Sequence, residues 1–178
     1  MVAGVEYPLD CIIYASGFEV GTPYTRRAGF DTTGRDGVRL SEYWGDGMRS
    51  LHGIHVHGFP NLFFVQPTQG ANLISNVPHN LTEAGKTIAT MVRHALDQGA
   101  REIEVTKEAE EDWVKLLLSG PGLMLNSPDC TPGYYNNEGQ PAAPGARTFV
   151  GYPAGPAAYF RYIDGWRSSG KFEGLAFR

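Results

Sequence analysis

Cysteine is nearly absent from these 178 residues. Cys11 lies in an apolar run and Cys130 among prolines and glycines, so no disulfide framework holds the chain and both residues read as free thiols. No apolar run approaches the ~20 residues that span a bilayer, and the opening MVAGVEYPLD lacks the basic and apolar regions of a secretion signal, which makes the cytoplasm the expected location. Positive charge is sparse. Fifteen Lys and Arg stand against nineteen Asp and Glu, for a formal net charge of −4, and Arg26-Arg27 is the only adjacent basic pair; a nucleic-acid or anionic-membrane footprint is thereby excluded. No Gly-x-Gly-x-x-Gly follows a strand, so the cradle that seats a dinucleotide pyrophosphate is missing. His52, His55 and His57 in LHGIHVHG have no Cys or carboxylate at ligand spacing. They read as half-buried strand histidines, His55 and His57 sharing one face, with no metal assigned.

What is present suits one globular domain with a real core: 42% hydrophobic and 12% aromatic residues. Residues 9–15, LDCIIYA, predict a short buried strand running into Ser16-Gly17. Residues 20–46 turn to Gly, Thr, Arg and Asp, an irregular excursion with a hairpin around Asp36-Gly37. The chain is organised around 58–99. Leu62 to Val65 is a continuous apolar run of the kind buried in a parallel sheet. The crossing PTQGANLISN (67–76) ends at Asn76, a good N-cap, with Pro78 tolerated in the first turn. From Val77 the apolar positions Leu81, Ala84, Ile88, Val92, Ala95 and Leu96 recur at helical spacing, Glu83, Lys86 and Arg93 occupy the other face, and Gly99 stands where a left-handed cap belongs. A strand, a Gly-containing loop and a helix start aimed at a crevice can hold a nucleotide cofactor, and can equally be plain packing.

Beyond this, Glu102 to Val105 predicts a strand and Thr106 the cap of a second helix through Leu118. Glu108, Glu110 and Glu111 form its acidic, solvated first turns, with Trp113, Leu116 and Leu117 its apolar face. Residues 119–147 are a long Gly/Pro/Asn loop in which Tyr134, Tyr135, Asn136 and Asn137 either line a site or pin the loop to the core. A strand over Arg147 to Tyr152, a helix over Pro156 to Ser169 with Tyr159, Phe160, Ile163 and Trp166 as its stripe, and a short strand Leu175 to Phe177 complete the reading.

The order of these segments resembles the C-terminal part of flavin-dependent monooxygenases of the Baeyer–Villiger type. DCIIYASGF (10–18) is similar to the family's strand ending Ala-Thr-Gly-Phe, with Ser16 for threonine; GFPNLFFV (58–65) resembles the returning strand of its FAD domain. Ser75-Asn76 and the helix after them resemble the segment passing the flavin ring, and YYNNEG (134–139) with FEGLAF (172–177) the active-site loop and final strand. The crossing QPTQGANLISN departs from the Gly-Pro-Gly-Ser-Pro of well-known ketone-oxidising members.

The resemblance implies an α/β fold: the C-terminal portion of a flavoprotein with two dinucleotide-binding domains, its FAD domain an incomplete Rossmann-like unit of parallel strands, helices and long loops. It implies the following division. Residues 1–18 link the NADPH-binding to the FAD-binding domain, 19–57 are the excursion, 58–118 belong to the FAD domain, and 119–178 cover the active site. FAD and NADPH are the implied cofactors of the complete protein, and a small ketone with O2 its substrates. Ala15, Ser16, Gly17, Asn76 and Val77 are the implied cofactor-binding residues; Leu73, Ile74, Ser75, Tyr134, Tyr135 and Asn136 the implied substrate lining. No catalytic residue is assigned within the chain. The expectation is a fragment of about the last third of a parent, its missing N-terminal part or a partner chain carrying both glycine cradles. Oxidation of nitrogen or sulfur, and a non-catalytic remnant or complementing subunit, remain open alternatives.

Overall fold

The computed structural model describes residues 3–14, 24–66, 68–72, 74–120, 131 and 150–178. Its dominant element is α3, Val77–Asp97. The local sequence dictates where it starts and stops: the Asn76 side chain accepts from His79 N at 3.0 Å, Pro78 occupies the first turn, and Gly99 takes φ +71° just past the end. Asn80, Glu83, Ala84, Thr87, Met91 and Ala95 form its buried face. That face is rotated from the expected one. Leu96 is 66% exposed and Val92 lies at the surface, whereas Glu83 is buried. The reason is α5, Pro156–Ser168, whose Arg167 donates to Glu83 Oε2 at 3.0 Å and to Thr87 Oγ1 at 3.3 Å. Hydrogen bonding to Lys86 outweighs burial, and with the Arg167 contacts holds the Glu83 carboxyl below its ordinary pKa.

Three further elements complete this layer. β1 (Ile103–Val105) pairs antiparallel with β2 (Leu175–Phe177), Glu104 opposite Ala176. Between them in sequence comes α4, Lys107–Leu118, capped by Thr106 Oγ1 accepting from Ala109 N at 3.2 Å. Met91, Ile103, Trp113, Leu117, Ile163 and Phe172 meet in the main core. Glu104 is buried between Arg35 Nε at 3.0 Å and Arg178 Nη1 at 2.6 Å. Burial pushes its carboxyl up, but the two guanidiniums outweigh that and leave it lowered.

The excursion is more ordered than its composition suggests. It contains α1 (Tyr24–Ala28), a 3-10 turn (Arg35–Gly37) and α2 (Leu40–Tyr43). The expected hairpin is present around Asp36 (φ +56°) and Gly37, with Thr33 bridged to Arg39. Leu40, Val56, Phe59 and Phe64 build a second small core under these elements.

Several expected strands are not strands. Residues 9–14 have no regular structure, Cys11 is exposed, and Ile13 and Tyr14 are 85% and 87% exposed; a strand is completed by a hydrogen-bonding neighbour, and none stands beside this run among the described residues. Leu62 to Val65 contributes one antiparallel bridge, Phe63 to His55, with Val65 exposed. The histidine run is a tight turn rather than a strand: Leu51 bridges His55, His52 takes φ +60°, and His52 and His55 are fully buried while His57 is half-buried. No group of three His, Cys, Asp or Glu among the described residues is arranged to hold a metal. Of the strand expected at 147–152, the described residues 150–152 have no strand structure and 147–149 lie outside the described set.

The acidic first turns of α4 likewise differ from expectation. Glu110 is fully buried, where it accepts from Tyr43 Oη at 2.6 Å, Arg49 Nε at 3.0 Å and His57 N at 2.9 Å. A carboxylate taking three donors is tolerable in a core. The consequence appears on Tyr43, whose phenol is pushed up by burial first and by Glu110 second. Removal of the acceptor leaves a guanidinium, a phenol and an amide without it, so Glu110→Ala is expected to cost about 3–5 kcal/mol in chemical denaturation, and Glu110→Gln less.

Burial lowers His55 to about 3 and His52 well below the ordinary imidazole value of 6.5. Folded values below unfolded ones mean that the unfolded chain binds more protons. Stability is therefore full above pH 6.5 and falls as pH drops toward 3. Glu83 and Glu104 lose their contributions only below their ordinary value of 4.5. Urea midpoints are expected to fall between pH 6.5 and 4.5, and His55→Gln is expected to flatten that interval.

Candidate functional site at the start of helix α3

The crossing at 68–72 is fixed before the helix begins. Gln69 and Asn72 have φ of +56° and +65° on either side of Gly70, and all three are buried. Gln69 is held at both ends: Ser50 Oγ donates to its Oε1 at 2.5 Å, its Nε2 donates to Met48 O at 2.7 Å, and its backbone carbonyl accepts from Trp113 Nε1 at 3.0 Å. Gly70 is required by close approach. A Cβ there would fall 2.7 Å from the Tyr159 ring, and its carbonyl accepts from Tyr152 N at 2.9 Å.

From this anchored loop the chain turns into α3 through a polar knot. The Asn72 carbonyl accepts from Asn80 Nδ2 at 3.0 Å, and the Ser75 hydroxyl stands 3.0 Å from that carbonyl and 2.9 Å from Asn80 Oδ1. A single hydroxyl proton serves one of these acceptors at a time. Asn76 Oδ1 is committed to His79 N, and the Asn76 carbonyl accepts from Asn80 N at 3.1 Å. The result is a long helix whose first turn carries no acidic side chain, with Asn76 exposed, Ile74 60% exposed, and Ser75 and Val77 half-buried. Its positive end faces outward without a neutralising carboxylate.

Beside Ile74 lies a cavity of about 160 Å³, lined in part by Ala71, Asn72, Leu117, Val150 and Tyr152. Tyr152 and Leu117 were not legible as site residues. Tyr152 ends a run read as strand and Leu117 belongs to a helical apolar stripe, and neither context distinguishes a cavity wall from core. Of the residues singled out in the sequence, Ile74, Ser75, Asn76 and Val77 sit together at this helix start. Ala15, Ser16, Gly17, Leu73, Tyr134, Tyr135 and Asn136 lie outside the described residues.

The arrangement fits one edge of an electron-rich ring: a helix N-terminus with partial positive charge, no competing carboxylate, and an apolar cavity alongside. It does not supply a pyrophosphate cradle, in keeping with the missing glycine fingerprint.

No family model matches the chain. Curated proteins do. An FAD-binding monooxygenase of Hypomyces subiculosus is 41% identical over 176 residues, which cover 98% of this chain and 29% of that protein. A Baeyer–Villiger monooxygenase of Dietzia is 38% identical over 178 residues, covering 99% and 29%. Among solved structures, a polycyclic ketone monooxygenase of the thermophilic fungus Thermothelomyces thermophila matches the whole chain with a TM-score of 0.84 and 32% identity, over 29% of its own length. The chain thus spans about three-tenths of the length of the relatives it matches. Agreement of sequence and fold along all of that span means that these 178 residues belong, as a segment, to the Baeyer–Villiger type of FAD-binding monooxygenase.

Proposed function

We propose that this chain is the part of an FAD- and NADPH-dependent monooxygenase that borders the flavin ring and the substrate, in an enzyme inserting one oxygen atom of O2 beside a ketone carbonyl to give an ester or lactone. The observation that carries the reading is the start of α3: an uncompensated helix N-terminus, fixed by the Asn72–Ser75–Asn80 knot and capped by Asn76, in a chain whose relatives are FAD-binding and Baeyer–Villiger monooxygenases.

In this reading Asn76 and Val77 lie against the pyrimidine edge of the isoalloxazine. Bound flavin supplies the redox chemistry, passing electrons from NADPH to O2. The helix end stabilises negative charge at that edge by about 0.3–1 kcal/mol, more where partly buried. Leu73, Ile74 and Ser75 border a small, largely apolar ketone, and the 160 Å³ cavity beside Ile74 takes part of its carbon skeleton. Ala15, Ser16 and Gly17 are assigned to cofactor binding, and Tyr134, Tyr135 and Asn136 to the substrate lining. The glycine cradles for both cofactors are supplied outside these residues, by the rest of the polypeptide or a partner chain, and the enzyme works in the cytoplasm.

The direct test is transplantation of the 178 residues in place of the matching segment of the polycyclic ketone monooxygenase. The chimera is expected to retain FAD and to oxygenate a cyclic ketone. Within it, Asn76→Ala removes a cap worth about 1 kcal/mol, so flavin binding is expected to weaken or flavin reduction to slow by about fivefold. Unchanged FAD content and reduction rate would overturn the placement of Asn76. The isolated chain, lacking a cradle, is expected to stay colourless after FAD titration and gel filtration.

A further inference from the structure

Beneath the crossing at 69–72 lies a group of aromatic side chains of which the reading above uses only Tyr152, as a cavity wall. Trp113, Tyr152 and Tyr162 lie nearly parallel in a triangle, each ring beside both others, with interplanar angles of 25° (Trp113–Tyr152), 27° (Trp113–Tyr162) and 24° (Tyr152–Tyr162) and centroid separations of 5.4 to 5.7 Å. Trp113 Nε1 donates to the Gln69 carbonyl and the Tyr152 backbone N–H to that of Gly70, so the group meets the loop that leads into α3 through the Trp113 ring. Tyr162 is the member of the group at the surface, 37% exposed.

One polar contact distinguishes this group from ordinary aromatic packing. The Tyr162 hydroxyl stands 3.1 Å from Nε2 of His52. His52 is 2% exposed, its ring is met edgewise by Trp113 at 4.7 Å and Trp166 at 4.8 Å, and its Nδ1 has no hydrogen-bond partner among the described residues. A phenol is a better donor than acceptor, so the contact is assigned with Tyr162 O–H donating to Nε2 and the imidazole proton on Nδ1, at the cost of an Nδ1–H without a partner among the described residues. The tautomer follows from that pairing. Burial lowers the His52 pKa well below the ordinary value and raises that of Tyr162, so in the resting protein the proton stays on the phenol. A phenol that has lost an electron is a far stronger acid than imidazolium, and the same hydrogen bond then runs downhill toward nitrogen.

We propose that Tyr162 is a redox-active tyrosine, with His52 as its proton acceptor and the stacked Trp113 and Tyr152 as the route by which an oxidising equivalent reaches it from the loop before α3. An oxygen-derived one-electron oxidant takes an electron from the stack, and the deficit settles on Tyr162. Its O–H bond breaks, an N–H bond forms at His52 Nε2, and a neutral phenoxyl radical and an imidazolium result. A small reductant in solution returns the electron at the exposed edge of Tyr162, and the proton moves back. The source of the oxidant rests on the proposed use of O2 at the flavin edge; the competence of the pair does not.

The test needs no flavin, so its outcome is separate from that of the chimera. The 178-residue chain is photo-oxidised with tris-bipyridine ruthenium(III) generated by a flash, in a background with Tyr7→Phe, Tyr14→Phe, Tyr134→Phe and Tyr135→Phe to remove other surface and loop tyrosines. A tyrosyl radical is followed by transient absorbance and electron paramagnetic resonance. The expected result is a radical whose formation slows in heavy water and whose yield is largely lost in Tyr162→Phe. His52→Gln, which removes the base, is expected to slow formation by about tenfold or more. An undiminished yield in Tyr162→Phe, or equal rates in light and heavy water, would overturn the proposal. These two readouts decide it even if His52→Gln, at a buried position, fails to fold.

Discussion

Gln69 is the residue on which the other arrangements depend. The described part of the fold has one two-stranded sheet of three residues a side, too small to satisfy the backbone of the buried stretches 50–56 and 68–72. Side chains therefore take over the work of a sheet. The Gln69 amide pairs with Ser50 and Met48, its carbonyl with Trp113, and its N–H donates to Val150 O at 3.1 Å. Four separate stretches are joined at one buried residue. Elsewhere the same solution recurs: Tyr159 Oη donates to His52 O at 3.0 Å, and Asn61 spans Arg101 O and Ile103 N. Buried loop backbone has to find partners, and here the large aromatic residues provide them while filling the core.

Charge is used in the same way. Three glutamates sit inside the fold, and each holds together parts of the chain that lie far apart in sequence. Glu83 joins α3 to α5, Glu104 collects Arg35 and Arg178, and Glu110 gathers Tyr43, Arg49 and the His57 amide. Such contacts add little net stability where exposed. Their effect is on specificity, because a buried carboxylate with its donors displaced is far more costly than an apolar mismatch of equal size. They fix which helix face turns inward.

These contacts also explain what could and could not be read from the sequence. The start of α3, the cap at Thr106, the left-handed Gly99 and the stripe Tyr159, Ile163, Trp166 were legible because capping and helical periodicity are local. Glu83 and Glu110 were misplaced on solvated faces because their partners, Arg167 and Tyr43, lie 84 and 67 residues away. Runs such as 9–14 and 62–65 carry strand-like composition, but a strand is defined by its neighbour, and that information is not within the run. The helix-start half of the candidate site was visible as Ser75-Asn76-Val77-Pro78. The cavity wall at Leu117 and Tyr152 was not, since concavity arises only when α4 and the 150–156 segment meet.

The pairing of β1 with β2 has a consequence for how the chain reaches this state. Ile103 and Phe177 are partners across most of a hundred residues of intervening sequence, and His52 meets Tyr162 at a separation of 110. Contacts of that reach incur loop-closure entropy before they return any stabilisation. Helices α3 and α4 have local caps and can flicker into place early. The core between them stays open until residues 156–178 arrive, so folding is expected to be slow for a chain of this size, with an unclosed aromatic interior as its vulnerable intermediate.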